Sequence, residues 1–306
     1  MIKIRTYNIN TDERGEANLS NSHVKFLSSG SSVAWADLTH ILSEGFLTAQ
    51  LTSNFTSKPF KLSLVFTYWD LDRKFKPEDS DKVIDYIDYL INCMEEPSNG
   101  IIITLYNAHI EHINGAANRS VDSYGVTHDI NFPWAGNAMW PFKKEFTYKG
   151  HNSNYVAVNL TEPMTSTYKL TYNRYIEKIL FDKLEDLNLN YKYFSYSNPI
   201  KETIETIINS KIVLCYDGGG TSLSAITKTP YIGWGEYYSS SPHSGGGVGR
   251  ASSAGVVPSE ILTYDFTERR FQKEKFGSIY GVGKYRIEDD SNYVYELLKE
   301  KMKEES

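Results

Sequence analysis

Between Tyr155 and Trp234 short apolar runs alternate with stretches whose apolar residues recur every three or four positions. Tyr155 to Leu160 reads as a strand, and Tyr168 to Leu187 as a helix with Ile176, Ile179, Leu180, Leu184 and Leu187 along one face. Tyr191 to Phe194 reads as a second strand. Asn198 and Pro199 supply an N-cap and a first-turn proline for a helix carrying Ile200, Ile204, Ile207 and Ile208. Lys211 to Tyr216 is a third strand, a short helix spans Leu223 to Thr227, and Pro230 to Trp234 is extended again. Strands that alternate with helices form βαβ units, whose parallel strands carry helices on both faces of the sheet.

The first half follows the same rule. Ile2 to Ile9, Lys61 to Tyr68 and Gly100 to Tyr106 have strand length and strand composition. Val33 to Leu42 is a short helix. From Pro77 to Glu96, Val83, Ile87, Leu90, Ile91 and Met94 fall on one helical face, and Asp79, Asp81, Asp85 and Asp88 crowd the other face and first turns. Residues 107–153 look irregular, punctuated by Gly115, Pro133, Gly136, Pro141 and Gly150. The expected organisation is α/β in two domains, residues 1–153 and 154–306, the second ending in a helix from Ser291 to Glu305 that packs Val294, Leu297 and Leu298.

A chain of 306 residues can bury two cores of this kind. With 40% hydrophobic and 23% charged residues it is neither disordered, collagen-like nor coiled-coil. No apolar run reaches the roughly 18–20 residues of a spanning helix, and Met1 to Tyr7 turns polar before a signal-peptide core could form. Cys93 and Cys215 are too few for a disulfide framework. These features set the expectation of a cytoplasmic protein without a membrane span. The net charge of −6 argues against a broad electrostatic grip on nucleic acid, while leaving room for a local basic groove. Frequent Asn, Lys, Ile and Tyr fit an AT-rich coding genome, such as that of a bacteriophage or a low-GC bacterium.

The segment Asp217-Gly218-Gly219-Gly220-Thr221-Ser222 carries the most chemistry. Three glycines after a buried strand permit a tight turn and a close approach to a ligand, and the N–H groups of the next helix suit a phosphate. Thr221 and Ser222 add hydroxyl donors. No Lys stands where a Walker loop needs it, and the spacing is not that of a dinucleotide fingerprint.

The stretch from Ile207 to Ala225, continued by Thr229-Pro230-Tyr231-Ile232-Gly233, resembles the donor-binding segment of the heptosyltransferase-like glycosyltransferases. Their pattern is D-x-G-x-S-H-L-[ST]-A, and Asp217, Gly219, Thr221, Leu223, Ser224 and Ala225 fit it, with Ser222 in place of the histidine. The match covers about 30 residues and agrees more loosely from Tyr155 onward. The resemblance implies a GT-B fold: two Rossmann-like domains facing each other across a cleft, the second holding a nucleotide-diphosphate sugar as co-substrate with no further cofactor. It implies an inverting, metal-independent transfer.

By that resemblance Asp217, Gly218, Gly219, Gly220, Thr221 and Ser222 bind the donor, with Thr161, Thr165 and Lys169 after the Tyr155 strand as further phosphate contacts. The family's catalytic base follows a glycine in a loop after the first strand. Gly15-Glu16 stands in the comparable place, so Glu16 is the candidate, with Asp12 and Glu13 as neighbours able to substitute. A carboxylate there takes the proton of the attacking hydroxyl, and fixed N–H dipoles stabilise the departing diphosphate. The loop Ser239 to Arg250 offers His243 and Arg250 to the same diphosphate. A late helix in this fold often returns to the first domain, which suits Ser291 to Glu305.

His109, Glu111, His112, His128 and Asp129 form a second constellation; the i, i+3 spacing of His109 and His112 could put them on one helical face, but their context is loop-like and the third ligand is unspecified, so the set is not taken as a metal site. Two acceptors are open: a hydroxymethylated base in phage DNA, with Arg119, Lys143, Lys144 and Lys149 lining a basic channel, or a surface or lipid-linked saccharide. The competing classes are a non-catalytic nucleotide- or sugar-binding module and a nucleotide-sugar epimerase-type enzyme that needs no acceptor.

Overall fold

The computed structural model describes residues 1–8, 23–28, 35–53, 55–68, 77–109, 138–160, 177, 178, 180–195, 198–216, 219–236, 260–265, 270–275, 278–282 and 287–303. It has an α/β architecture in two compact units, residues 1–33 with 41–134, and residues 34–40 with 135–306.

The first unit is a four-stranded parallel sheet. Its strands are β1 (Ile2–Asn8), β2 (His23–Ser28), β3 (Phe60–Tyr68) and β4 (Ile101–His109), in the spatial order β1-β4-β3-β2. Helix α1 (Trp35–Thr52) joins β2 to β3, and α2 (Pro77–Cys93) joins β3 to β4. Leu62 and Leu64 of β3 and Ile101, Ile103 and Leu105 of β4 are buried, as are Leu42, Phe46 and Leu47 of α1 and Ile87, Leu90 and Ile91 of α2. The apolar period in α2 therefore faces a core, as its spacing predicts. Helix α1 runs ten residues past the expected Leu42, since Phe46, Leu47 and Ala49 continue its buried face. Strand β4 continues through His109, three residues into the stretch 107–153 that the sequence marks as irregular.

The second unit holds a five-stranded parallel sheet in the order β12-β9-β8-β6-β7. The strands are β6 (Tyr155–Asn159), β7 (Asn190–Tyr193), β8 (Ile212–Tyr216), β9 (Tyr231–Glu236) and β12 (Ser278–Val282). A smaller sheet joins β5 (Ala138–Met139), β10 (Glu260–Asp265) and β11 (Arg270–Lys275) in the order β11-β10-β5. Alternation along the strands sends side chains to two faces. Val156, Val158, Ile212, Leu214 and Ile232 meet Leu180 and Leu184 of a helical segment and Val294 and Leu298 of the last helix, α5 (Ile287–Lys303). The resemblance implies that the last helix returns to the first domain. Its buried residues lie instead in the core of the second unit, where the β6–β8–β9 face supplies their partners.

On the opposite face pack α3 (Ile200–Ile208) and α4 (Gly219–Ile226), which touch each other. Ile200, Thr203, Ile204, Ile207 and Ile208 of α3 are buried, the pattern of a helix lying on a sheet. Asn198 does not cap this helix. Pro199 occupies the N-cap position without a side-chain bond, and Asn198 Oδ1 accepts from the Ser195 N–H at 2.8 Å to close the preceding turn. Among the described residues no helix is long and apolar enough to cross a membrane.

Candidate functional site

The order of the five-stranded sheet points to a candidate site before any side chain is considered. Numbered along the chain, its strands run 2-1-3-4-5 in space, the order of one common doubly wound sheet. From β6 the chain moves outward to β7, and from β8 it moves the other way to β9. Connections that leave two neighbouring strands in opposite directions open a crevice outside their carboxyl ends. By that rule the place for a crevice is past Asn159 of β6 and Tyr216 of β8.

Helix α4 starts at this crevice. Its first residue is Gly219, four positions earlier than the sequence pattern indicates. Gly220 is therefore helical, and its requirement for glycine is not a left-handed turn. A Cβ there would stand 3.0 Å from both Asn159 Oδ1 and Cys215 Cβ. Asn159 and Cys215 are register partners in β6 and β8, so the absent side chain lets the first turn of α4 rest directly on the two strand ends. This is the close helix–strand packing that glycine serves in nucleotide-binding turns. The first turn of a helix carries the positive end of its dipole, and in α4 that end is turned toward the ends of β6 and β8.

Small hydroxyl residues complete α4. Ser224 Oγ donates to the Gly220 carbonyl at 2.7 Å, and Thr227 Oγ1 donates to the Leu223 carbonyl at 2.7 Å. Every residue from Gly220 to Thr227 is buried, Thr221 and Ser222 completely. Their hydroxyls belong to the packed interior, so an anion at this helix would be met chiefly by backbone N–H groups.

Asn159 is the residue that the sequence reading passed over. It is 1% exposed, and its Nδ2 donates to the Phe194 carbonyl at 2.9 Å, tying the end of β6 to the chain leaving β7. The visible signal was a polar side chain closing an otherwise apolar strand, Tyr-Val-Ala-Val-Asn. A buried amide closing an apolar strand is an informative departure from an apolar interior.

Of the expected donor contacts, Gly219, Gly220, Thr221 and Ser222 come together at the head of α4. Asp217, Gly218, Thr161, Thr165, Lys169, His243 and Arg250 lie outside the described residues, as do the acids Asp12, Glu13 and Glu16. Arg119, Glu111, His112, His128 and Asp129 also fall outside them. Among the described residues no group of three His, Cys, Asp or Glu side chains is arranged to hold a metal ion. Lys143, Lys144 and Lys149 are described, and they lie elsewhere. Lys149 N–H bonds the Ile208 carbonyl at the end of α3, and the Tyr148 N–H bonds the Thr227 carbonyl beyond the end of α4. Both anchor points are at the amino-terminal edge of the sheet, opposite the crevice.

No protein-family model matches the chain, and no curated protein or solved structure matches it either.

Proposed function

We infer that the second unit binds a nucleoside diphosphate sugar at the carboxyl ends of β6 and β8, and that the chain is a glycosyltransferase. The observation that carries the binding half of this reading is the reversal of strand order between β6 and β8 with α4 beginning against both. The likeness of the Asp217 segment to heptosyltransferase-like enzymes supports the transfer half. In this reading the diphosphate meets the N–H groups at the head of α4. An acceptor hydroxyl attacks the anomeric carbon and the bond to the diphosphate oxygen breaks. The hydroxyl proton passes to a carboxylate, for which Glu16 is the first candidate, and the diphosphate leaves with the bonding electrons. A hydroxymethylated DNA base and a surface or lipid-linked saccharide are the two acceptor classes.

Thermal melting with UDP, ADP, GDP, CMP and the matching sugar nucleotides, each with EDTA and with magnesium, tests the binding half. A ligand at 100 times its Kd should stabilise the native state by about 2.7 kcal/mol. One nucleotide family raising Tm names the donor, and release of nucleoside diphosphate with an acceptor then establishes transfer. No shift with any of them removes the donor site. A shift without turnover, unaffected by Glu16→Gln, would make the chain a binding module.

A further inference from the structure

The amino-terminal edge of the second sheet gathers positive charge from three separate stretches of an acidic chain. Residues 143–153, 209–212 and 227–230 contain five lysines, Lys143, Lys144, Lys149, Lys211 and Lys228, with His151, against the single acid Glu145. The backbone joins them directly. Lys149 N–H bonds Ile208 O at 2.7 Å, Tyr148 N–H bonds Thr227 O at 2.9 Å, and the Tyr148 hydroxyl donates to the Lys211 carbonyl at 3.1 Å. Lys211 N–H in turn bonds Tyr155 O at 2.9 Å, fixing this belt to the start of β6. Gly150 lies so close to the Ser210 carbonyl oxygen that any Cβ would overlap it.

Lys228 adds an independent observation. It has φ of 62°, in the left-handed region, at the position after the cap of α4. The Thr229 N–H bonds Ser224 O at 2.9 Å and the Lys228 N–H bonds Ala225 O at 3.1 Å, the paired bonds of a Schellman motif. Glycine is the usual residue there, and an L side chain in this conformation costs roughly 1–2 kcal/mol. A lysine is held where glycine would be more stable, and it stands in the third stretch of the belt.

We propose that this edge is a docking surface for single-stranded nucleic acid, separate from the crevice at the other end of the sheet. The lysines supply backbone neutralisation, with Lys144 and Lys149 exposed and Lys143, Lys211 and Lys228 half-buried. The exposed His151 ring, set edge-on to Tyr148 with centroids 4.5 Å apart, offers a flat face among the charges for a base to stack on. That ring selects a nucleic acid over an acidic peptide. Because the belt is pinned by its own backbone bonds, little order has to be created on binding.

The test is fluorescence anisotropy of a labelled 20-nucleotide single strand titrated with the whole chain over a range of salt concentrations. Each phosphate neutralised contributes about 0.7 to the slope of log K against log salt. Lys144→Glu/Lys149→Glu/Lys211→Glu should weaken binding on the order of a hundredfold at moderate salt and flatten the slope by about two. Lys201→Glu/Lys299→Glu, placed on α3 and α5, should change little, and melting curves check that each variant folds. His151→Ala should weaken binding without altering the salt slope. The proposal is overturned if the strand does not bind at low salt, if the triple variant binds as the parent does, or if polyglutamate or anionic phospholipid vesicles compete as well as the oligonucleotide.

Discussion

The two parallel sheets use the same materials and differ in one respect. In the first unit the chain steps from β2 to β3 to β4 in a single direction, with β1 added beyond β4. In the second unit it goes outward from β6 to β7, crosses back to β8 and continues the other way. Only the second arrangement sends connections in opposite directions from two adjoining strands, among the described residues. Both sheets bury aliphatic side chains, Leu and Ile in the first and Val, Ile and Leu in the second, so hydrophobic burial holds each together without distinguishing them. Connectivity decides which sheet acquires a crevice at its carboxyl edge. The glycine and amide at that edge, Gly220 and Asn159, then read as consequences of the topology.

The largest effect is expected at the edge of the second sheet away from the crevice. Gly150→Ala forces a methyl group into the Ser210 carbonyl, where backbone meets backbone and neither side can yield cheaply. A loss of about 3 kcal/mol is expected, read by urea or thermal unfolding. An unchanged midpoint would show that residues 143–153 are not part of the packed unit.

Gly220→Ala and Gly45→Ala compare the units directly. At Gly220 the added methyl meets Asn159 Oδ1 and Cys215 Cβ at 3.0 Å, so destabilisation of about 1 kcal/mol is expected together with a reduced nucleotide-induced shift in Tm. At Gly45 the contact is with Leu62 Cδ2 at 2.5 Å, the far end of a side chain that can rotate, and alanine gains helix propensity of about 1 kcal/mol. That variant should be close to neutral and should leave the ligand shift intact. Equal responses of the ligand shift would erase the distinction between the two sheets.

A smaller gain is expected for Lys228→Gly. Releasing a left-handed side chain should stabilise the chain by up to about 1 kcal/mol while lowering oligonucleotide affinity, a trade that calorimetry and anisotropy measure separately.

The smallest effect belongs to the first unit. Asp88 of α2 has a carboxyl pKa raised above its ordinary value, first by burial and second by Asp85, and its Oδ1 has no hydrogen-bond partner among the described residues. An acid with a raised folded pKa binds its proton more tightly in the native state. Its stability contribution is complete below the ordinary carboxylate range and is lost as pH rises through the raised value. Asp88→Asn should therefore melt at nearly the parent temperature in acid and slightly above it at pH 7. A variant that melts lower at pH 7 would reverse the sign and contradict the burial argument.

Much of the fold was legible because strand-length apolar runs and helix-period faces survive in the sequence. The face of α3 reads directly from Ile200, Ile204, Ile207 and Ile208. What stayed hidden was set by contacts between distant residues. Helix α4 begins on two glycines, which have low helix propensity, because packing on Asn159 and Cys215 outweighs that preference. Strand β11, Arg-Phe-Gln-Lys-Glu-Lys, shows no apolar alternation and exists through its antiparallel ladder with β10. Asn198 looked like a cap because a local acceptor stands before Pro199, yet the Ser195 N–H claimed it. The glycine run at the candidate site was readable, and its partner Asn159 was not, since a single polar residue at a strand end acquires meaning only once its neighbours are known.

The decisive measurement is hydrogen exchange followed by mass spectrometry, with and without the nucleotide that raises Tm most. Added protection is expected only in peptides spanning the end of β6 and the first turn of α4, around Asn159 and Gly219 to Ser222. Protection that appears in the first unit while the head of α4 exchanges as before would contradict it.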